Sequence, residues 1–365
     1  MTHITNVPYK SKNRERISIP DFSTDHTLTE ALITMMEEYR DAIDTNRIRV
    51  IDTMEYASDA AAVLQWVASD AVATTGIAVT RNTSQYVVGA SSVSFTTGTV
   101  GYAATVSVVK DLTRDAATYK EDRRCVGNHQ NWKPYNFLGF YHYHFEPHSV
   151  IDILVIATDK NGNTLTWSLA AITANYDDLW GYTELAFDEA TDSGVDYTNI
   201  TSLTLKFDSG MGTSEALAID QMILYKYGNG LGPVRGRMIP AVTLDDDVTR
   251  GEFVKISNTG GQLCYVDSIA EGDQEVIGIA CGTASASWDD IMVQIDGLAL
   301  REVGESPASW EAGDYLMGST GLMVKNASAS DDNAICTYKT PVTGSVAQYS
   351  LAWVMLNTCG ATPSA

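Results

Sequence analysis

The sequence predicts a mainly β protein, with an N-terminal arm and helix, a central β-sandwich over residues 47–227 and a small β-barrel over residues 237–358. Short runs rich in Val, Ile, Thr, Tyr and Phe recur about every ten residues beyond residue 47, separated by Gly, Asn, Asp and Ser. This spacing is typical of sandwiches and barrels and does not fit βαβ units. Residues 228–236 divide the two β regions, because four glycines and one proline in this stretch predict a linker.

The first 46 residues are predicted to form an attachment or oligomerisation segment. Residues 1–27 carry no sustained apolar period and contain Pro8 and Pro20, which predicts an extended arm that orders against a partner, or else a floppy terminus. An amphipathic helix follows, with the spacing of a capping box at Thr27 and Glu30. Its apolar stripe needs a partner surface, on this chain, on a copy of it or on a larger assembly. The candidate interface residues are Leu28, Leu32, Met35, Met36, Tyr39 and Ile43, and Ala31 lies on the same stripe.

The central region is predicted to begin with a strand at residues 47–52 and a short helix around residues 58–65, which is rich in alanine. Residues 159–163 read Asp-Lys-Asn-Gly-Asn and predict a hairpin turn, because Asn-Gly accepts positive φ at little cost. The strand candidates of this region are GIAVT, YVVGA, SVSFTT, ATVSVV, FLGFYHYHF, VIDILVIAT, TLTWSLA, TELAFD, SLTLKFD and ALAIDQMILYKY.

The C-terminal region has shorter apolar strands between acidic or glycine-containing turns, which predicts the small barrel. Residues 359–365 are expected to be a frayed tail. The strand candidates here are EFVKIS, EVIGIA, IMVQIDGLALREV, DYLMG, GLMVK, AICTY and SLAWVML.

Charge and cysteine content restrict the function classes. The chain has 46 acidic and 24 basic residues and a net charge of -22, which opposes direct nucleic-acid binding and suits a soluble particle. No run approaches the roughly 18 apolar residues of a membrane helix, and the polar N-terminus does not resemble a secretory signal. The five cysteines are widely spaced without a CxxC motif, so we expect free thiols, synthesis in the cytoplasm and neither a zinc cluster nor a cofactor.

Histidines form the first candidate site. His142 and His144 have the spacing that places two side chains on one face of a strand, and His148 follows. Two imidazoles at this spacing could ligate a metal. However, Leu138 and Phe140 share that face and no carboxylate completes a ligand set, so the reading that we adopt is histidines in a core or an interface, without a metal.

An aromatic segment at residues 176–182 is the second candidate site. We interpret it as a loop in which Tyr176, Trp180 and Tyr182 form a candidate glycan platform, because aromatic rings stack on sugars and the neighbouring carboxylates bind hydroxyl groups. The alternative is that Trp180 and Tyr182 anchor the sandwich core or pack on a neighbouring subunit. Carboxylate pairs occur throughout so acidic a chain, and neither a nucleophile elbow nor a phosphate or dinucleotide loop is present. The sequence therefore favours binding or assembly over catalysis.

The central region resembles carbohydrate-binding-module-like jelly rolls. The runs that carry the resemblance are Phe-Leu-Gly-Phe-Tyr-His-Tyr from Phe137, Val-Ile-Asp-Ile-Leu-Val from Val150, and Ala-Ile-Asp-Gln-Met-Ile-Leu-Tyr from Ala218. Asp-Thr-Met-Glu from Asp52 and Trp-Val-Ala-Ser-Asp from Trp66 also suit the first strands of such modules. The resemblance covers about half of the chain and implies a fold rather than a ligand. Some members bind calcium near the closing-strand aspartate, here Asp220, but no matching acidic cluster accompanies it and we assign no metal.

The C-terminal region resembles small β-barrel domains of tailed-phage capsid decoration and fibre proteins. The matching segments are Thr249–Ile256, Val276–Ala280, Ile295–Leu298, and Trp310–Leu316 followed by Ser319–Leu322. This resemblance implies a non-enzymatic virion protein of the decoration or head-fibre type, commonly a trimer. It also implies the major capsid protein or other virion proteins as partners.

The function expected from the sequence is therefore a non-enzymatic structural protein that decorates or projects from a viral capsid. Stable association without covalent chemistry needs repeated contacts and a large buried area. We expect a homotrimer located in the virion, with synthesis in the host cytoplasm and neither membrane nor nucleic acid as a partner. The alternative is a tail-associated adhesin whose jelly roll binds host surface glycans. A polysaccharide-cleaving enzyme is a third, disfavoured hypothesis, because no catalytic constellation stands out.

Overall fold

We analysed a computed structural model of the chain. The chain divides into two compact units, residues 1–45 and residues 46–365. The predicted arm and helix, with all six candidate interface residues, lie outside the described residues and stay a prediction. The structure describes residues 48–69, 76–98, 106–113, 130–144, 153–169, 179–207, 216–243, 248–256, 265–268, 276–284, 290–302, 308–310, 315–319, 322–325, 336–338, 344–346 and 351–357.

The central region is a β-sandwich, as the sequence predicts. Its elements are β1 (Ile48–Asp52), α1 (Asp59–Gln65), β2 (Trp66–Ala68), β3 (Ile77–Asn82), β4 (Ser92–Thr97), β5 (Val106–Asp111), β6 (Phe137–His144), β7 (Ile153–Asp159), β8 (Thr164–Ser168), β9 (Trp180–Ala186), a 3-10 turn (Phe187–Glu189), β10 (Thr191–Asp192), β11 (Ile200–Phe207) and β12 (Ala216–Tyr225).

Two antiparallel sheets face each other across the core. The front sheet has the order β3-β4-β12-β6-β9, with β1 also paired to β12, and the back sheet has the order β10-β8-β7-β11-β5-β2. Every second residue of a strand points into the core, so β7 alternates between buried and half-buried positions along its whole length. The largest fully buried side chains between the sheets include Trp66, Phe95, Phe140 and Phe207. The predicted fold class, mainly β with a jelly-roll sandwich, is confirmed.

The structure contains helix α1 and the β7–β8 hairpin where the sequence predicts a short helix and a turn. Helix α1 begins after Ser58, whose hydroxyl accepts a hydrogen bond from the Ala61 backbone amide at 3.3 Å, as a helix N-cap does. The hairpin between β7 and β8 turns at Gly162, which has a φ of 86°. Asp159 at its start accepts the backbone amides of Asn161 and Asn163 at 2.7 and 2.9 Å.

The predicted strand YVVGA, residues 86–90, is wrong. These residues form the loop between β3 and β4. The amides of Val87 and Val88 both donate to the Asp220 carboxylate at 2.8 Å, and Gly89 has a φ of 80°. Backbone groups that bond to a side chain are no longer available to a strand ladder.

The C-terminal region begins with a closed barrel and continues as a separate sheet. The barrel has the strand order β13-β15-β14-β16-β17 and the following sheet has the order β18-β24-β22-β20-β21, while β19 pairs with β23. Among the described residues, the strands of the closed barrel thus lie between 238 and 294, a shorter range than the predicted 237–358. The elements are β13 (Met238–Thr243), β14 (Phe253–Ile256), β15 (Tyr265–Ser268), β16 (Val276–Ala280), β17 (Asp290–Gln294), β18 (Asp296–Glu302), β19 (Ala308–Trp310), β20 (Tyr315–Ser319), β21 (Leu322–Lys325), β22 (Cys336–Tyr338), β23 (Gly344–Val346) and β24 (Leu351–Asn357).

The glycine-rich segment 228–236, here called the connector, is a packed turn. Gly228 and Pro233 form a β-bridge, which closes the turn. The buried Asn229 donates its side-chain amide to Gln294 of the barrel at 2.8 Å. The glycines therefore serve close packing between the two β regions rather than flexibility. No helix among the described residues has the length and apolar character needed to cross a membrane.

Candidate functional site

The outer face of the front sheet carries a cluster of aromatic side chains. We call Tyr141, Tyr143, Trp180, Tyr182 and Tyr225 the aromatic face. Register places Tyr141 opposite Tyr182 and Tyr143 opposite Trp180 on the neighbouring strands β6 and β9. The first pair is T-shaped with ring centroids 4.9 Å apart, and the second is tilted with centroids 5.4 Å apart. Such pairs stabilise a sheet beyond the area that they bury.

The connector and the C-terminal region cover one part of the aromatic face. Leu300 of β18 forms a buried cluster with Tyr141 and Tyr182, and Leu231 of the connector and Leu351 of β24 pack against it. Tyr182 is consequently 6% exposed. In a protein with a free sandwich this area would face solvent, so the C-terminal region decides which aromatic rings remain accessible.

A buried carboxylate, Glu184 of β9, lies at the centre of the covered part. It receives a hydrogen bond from the Tyr225 hydroxyl at 2.8 Å and contacts the Arg250 guanidinium at 2.7 Å. The connector amides of Gly230 and Gly232 donate to it at 3.2 and 3.3 Å. Burial raises the pKa of Glu184, and Arg250 opposes that rise. With both oxygens engaged, the carboxylate joins the sandwich to the connector and barrel.

Gly139 of β6 provides the room for this arrangement. A Cβ atom at this position would overlap the Tyr182 hydroxyl and would lie 2.8 Å from the Tyr225 hydroxyl. A larger residue would therefore push the two phenols away from Glu184. Sequence reading had assigned Gly139 only to a family-like pattern, without this packing reason.

The phenols of Tyr141, Tyr182 and Tyr225 have pKa values too high for acid–base chemistry at neutral pH. Desolvation raises the pKa of Tyr141 to about 12, although Arg235 opposes the rise. Burial also raises the pKa values of Tyr182 and Tyr225 well above the ordinary range. These residues can offer rings for stacking and neutral hydroxyls for hydrogen bonds.

The other part of the face, around Trp180, is its open end. Trp180 lies at the start of the edge strand β9 and is half-buried. Val88 of the β3–β4 loop packs against the cluster of Tyr141 and Tyr182. We call the adjoining Tyr86 and Val87 of this loop the rim. Tyr86 and Val87 are 44% and 38% exposed. The rim therefore exposes apolar surface next to Val88, which packs on the same cluster as Trp180.

Asp220 of β12 fixes the loop that forms this rim. A bulge in β12 next to Asp220, with Gln221 at a φ of 42°, turns the carboxylate toward the loop, where it receives the amides of Val87 and Val88. Desolvation is the main reason that the pKa of Asp220 rises to about 6, and the nearby Glu55 adds to it.

Asp220 and Glu55 do not form a metal site. The Oδ2 atom of Asp220 accepts two loop amides, and Glu55 accepts the amides of Ala90 and Ser91 at 2.7 and 3.1 Å. Hard cations such as calcium prefer several free oxygens. Among the residues that the structure describes, no group of three or more His, Cys, Asp or Glu side chains is placed to hold a metal ion.

The three residues of the predicted glycan platform differ in how the structure places them. Tyr176 lies outside the described residues, Trp180 is half-buried and Tyr182 is buried. Trp180 and Tyr182 belong to strand β9 and not to a loop, as the sequence interpretation had them. The packing of Tyr182 follows the alternative in which this ring is an anchor, while a glycan role for the platform stays a prediction.

The predicted histidine cluster is described only in part. His142 is 1% exposed and points away from the aromatic face, toward the side of β6 that carries the core residues Leu138 and Phe140. The side chain of His144 and the whole of His148 lie outside what the structure describes. His142 therefore lies at the sandwich core.

Sequence analysis did not identify Glu184, Tyr225 or Arg250. The signal for Glu184 was present as alternation, because Trp180, Tyr182 and Glu184 are separated by single residues. Reading residues 180–186 as one strand would have placed them on one face. No local pattern identifies Arg250, because its partner lies 66 residues away.

Comparisons with known proteins found no matching family model and no matching curated protein. Solved structures similar to this chain include the family 11 carbohydrate-binding module from Clostridium thermocellum in complex with a β-1,3-1,4-mixed-linked tetrasaccharide (14% identity, 48% of this chain and 94% of that chain, TM-score 0.34). A family 30 carbohydrate-binding module has 12% identity over 51% of this chain and 92% of its own, with a TM-score of 0.33. The CBM22-1 xylan-binding domain of Paenibacillus barcinonensis Xyn10C has 16% identity over 50% and 95%, with a TM-score of 0.30. Similarity at this level supports no argument about ligand or activity.

Proposed function

We propose that this protein is a non-catalytic saccharide-binding protein whose site is the open end of the aromatic face, around Trp180. The observation that carries the proposal is a half-buried tryptophan on an edge strand, backed by Tyr143, on a cluster against which Val88 of the β3–β4 loop also packs. An aromatic ring that presents one face to solvent can stack on the C–H face of a sugar.

The geometry of the rim supports binding without a large rearrangement. The β3–β4 loop is held by Asp220 through two backbone amides, and by Glu55 through two more. Its exposed apolar side chains are thus positioned before any ligand arrives, which reduces the entropic cost of association. The covered rings Tyr182 and Tyr225 are assigned to the packing of the C-terminal region.

A glycan array with the wild-type protein and the Trp180→Ala variant tests this proposal. We expect wild-type binding to at least one glycan class and at least a tenfold weaker affinity for the variant, about 1.4 kcal/mol. Trp180→Phe, which keeps a ring and most of the packing, should retain part of the affinity.

The matched control is Leu64→Ala on helix α1. Leu64 is 63% exposed and belongs to a different element from the aromatic face, so its replacement should leave glycan binding unchanged. Thermal melting of each variant reports whether its fold is intact. Wild-type protein that binds no glycan on the array, or a folded Trp180→Ala variant that binds as the wild type does, would contradict the proposal.

The proposal includes the statement that the protein does not cleave the saccharide that it binds. Glu184, the buried carboxylate of the covered part, is engaged by Arg250, Tyr225 and two connector amides. A carboxylate that is 2% exposed and engaged at both oxygens is out of reach of a substrate, so it is a poor general acid even though burial raises its pKa. A panel of polysaccharides incubated with the protein should yield no shortened products.

The biological setting that we propose is the virion, where the protein would project from a capsid as a homotrimer. The support is the sequence resemblance of the C-terminal region to phage decoration and fibre domains. The prediction that residues 1–46 attach the protein to the particle is tested by deleting them, which should abolish particle binding while the β regions stay folded. Retained particle binding would exclude that role for the segment.

A further inference from the structure

We infer that Lys110 and Asp52 condense to an intramolecular amide, an isopeptide bond, in the folded protein, and that Tyr56 moves a proton between them. The inference goes beyond the proposed function, because it concerns the sandwich core and not the aromatic face. Its basis is the arrangement of a nucleophile, a carboxyl group and hydrogen-bond donors around Asp52.

The Lys110 side chain is a buried amine held against a carboxyl group. Its Nζ atom lies 2.7 Å from Oδ2 of Asp52, and the two residues belong to β5 and β1 in opposite sheets. Both side chains are buried, and the Trp66 ring centre lies 5.6 Å from Nζ. Reacting groups that a fold holds this close have an effective concentration far above any that solution allows.

Hydrogen-bond donors are aimed at both carboxyl oxygens of Asp52. Oδ2 accepts the Tyr56 hydroxyl at 2.5 Å and the Trp66 indole N–H at 3.1 Å, in addition to its contact with Lys110. Oδ1 accepts the backbone amide of Met54 at 2.8 Å. These donors polarise the carboxyl group and stabilise the negative charge that develops on it when an amine attacks its carbon atom.

The amide that binds Oδ1 comes from a strained backbone position. Met54 is fully buried and has a φ of 59°, in the left-handed region that residues other than glycine seldom occupy. The Ser91 hydroxyl donates to the Met54 carbonyl at 3.3 Å and helps to hold this conformation. Backbone strain that the surrounding structure maintains is typical of sites with a chemical role, whereas an ion pair by itself does not require it.

Condensation at this site balances without a further reactant. One proton passes from the Lys110 ammonium to Oδ2 of Asp52, and burial lowers the cost of this step because desolvation penalises two ions more than two neutral groups. Nζ then forms a bond to Cγ, and Oδ1 takes the negative charge beside the Met54 amide. A second Nζ proton reaches Oδ2, the Cγ–Oδ2 bond breaks, and Oδ2 leaves as water while Oδ1 becomes the amide carbonyl.

Tyr56 is placed to move the second proton. Its hydroxyl donates to Oδ2 of Asp52 and accepts from Nζ of Lys110 at 3.5 Å, so it bridges the two reacting groups. It gives its own proton to Oδ2 and takes one from Nζ, and thereby returns to its starting state. The resulting amide ties the two sheets together and constrains the unfolded chain as a disulfide does.

The test is the intact mass of the full-length protein, measured by mass spectrometry under denaturing conditions. We expect a mass lower than that of the sequence by one water molecule. Trypsin digestion locates the loss, because the amide protects Lys110 from cleavage and joins residues 50–81 to residues 82–114 in one branched peptide. An imide at Asp296 and Gly297 would give the same intact mass but no branched peptide.

Two variants and a matched control separate the roles. Lys110→Arg keeps a positive charge but has no amine nucleophile, so its mass should equal that of its own sequence. Tyr56→Phe should form the amide at least about tenfold more slowly, measured as the linked fraction in samples taken at intervals during cell-free synthesis. The control is Lys160→Arg, at the exposed pair with Asp196, which should form the amide as the wild type does.

Three results would each overturn the inference: wild-type protein with the full mass of its sequence, water loss without the branched peptide, or water loss that persists in Lys110→Arg. Equal rates in the wild type and Tyr56→Phe would overturn the role of Tyr56. If Lys110→Arg does not fold, the wild-type peptide map and the Tyr56→Phe time course still decide the question. These measurements do not depend on glycan binding, so the proposed function stands or falls separately.

Discussion

At the scale of single residues, the sandwich core contains a buried ion pair between Lys110 of β5 and Asp52 of β1. Their charged atoms are 2.7 Å apart and their side chains are 1% and 4% exposed. Asp52 also accepts hydrogen bonds from the Tyr56 hydroxyl at 2.5 Å and from the Trp66 indole at 3.1 Å. The pair links the two sheets, and its satisfied hydrogen bonds offset part of the desolvation cost of two buried charges.

The Lys110→Met variant tests the importance of this pair. Removal of the ammonium leaves the Asp52 carboxylate buried without its counterion, so we expect the free energy of unfolding to fall by about 3–5 kcal/mol. Urea denaturation followed by tryptophan fluorescence measures the change, because Trp66 lies in the same cluster.

Lys160→Met is the corresponding control. Lys160 pairs with Asp196 at 3.5 Å, but its side chain is 53% exposed, so solvent screens the interaction. We expect no measurable change in stability. Equal losses in the two variants would show that burial does not set the strength of these pairs.

At the scale of elements, the β3–β4 loop depends on one carboxylate of a distant strand. Asp220 is fully buried and accepts two loop amides, while its other oxygen, Oδ1, has no hydrogen-bond partner among the described residues. Burial of an incompletely bonded carboxylate disfavours its charged form, which is why its pKa rises. The loop is thus anchored by a group that titrates close to neutrality.

The raised pKa of Asp220 makes its contribution to stability depend on pH. Because this pKa is about 6 in the folded protein against 3.8 ordinarily, the folded state binds more protons between about pH 4 and pH 6. The free energy of unfolding should therefore decrease as pH rises through that window, by about 3 kcal/mol at most from this group.

The Asp220→Asn variant provides the measurement. Its amide oxygen still accepts the loop amides, but the group no longer titrates. Urea denaturation at pH 4.5 and pH 7.5 should show that the wild type loses more stability than the variant between these values. An identical pH dependence in both proteins would assign the titration to another group, such as Glu184, whose pKa burial also raises.

At the scale of the whole described unit, the ion pair between Arg250 and Glu184 connects the barrel to the sandwich. Arg250 also contacts Glu189 at 3.2 Å and places its guanidinium 4.9 Å from the centre of the Phe137 ring. Asn229 and Gln294 add a buried hydrogen bond between connector and barrel. The two β regions share buried polar contacts, so we expect them to unfold together.

Arg250→Met should weaken that coupling. Loss of the guanidinium leaves the Glu184 carboxylate buried beside Tyr225, and we expect about 3–5 kcal/mol of destabilisation. Differential scanning calorimetry should show one transition for the wild type and two, or one broadened and lowered transition, for the variant. Arg237→Gln, at an exposed pair, should melt as the wild type does; a wild type with two separate transitions would exclude the coupling.

The sequence by itself determined the features that local physical chemistry controls. Strand spacing predicted the sandwich, the alanines predicted α1, and Asn161 with Gly162 predicted the hairpin, because propensity and positive φ act within a few residues. Residues 86–90 were misread because the group that competes for their amides, Asp220, lies more than 130 residues away.

Only the tertiary structure decided which aromatic residues are accessible. Tyr182 and Trp180 are two residues apart on one strand, yet Leu300 of a later strand packs on the first and leaves the second half-buried. The same holds for Glu184, whose burial depends on Arg250 and on the fold of the connector. Periodicity assigns a side chain to a face, but what covers that face is a contact between distant segments, which no local pattern encodes.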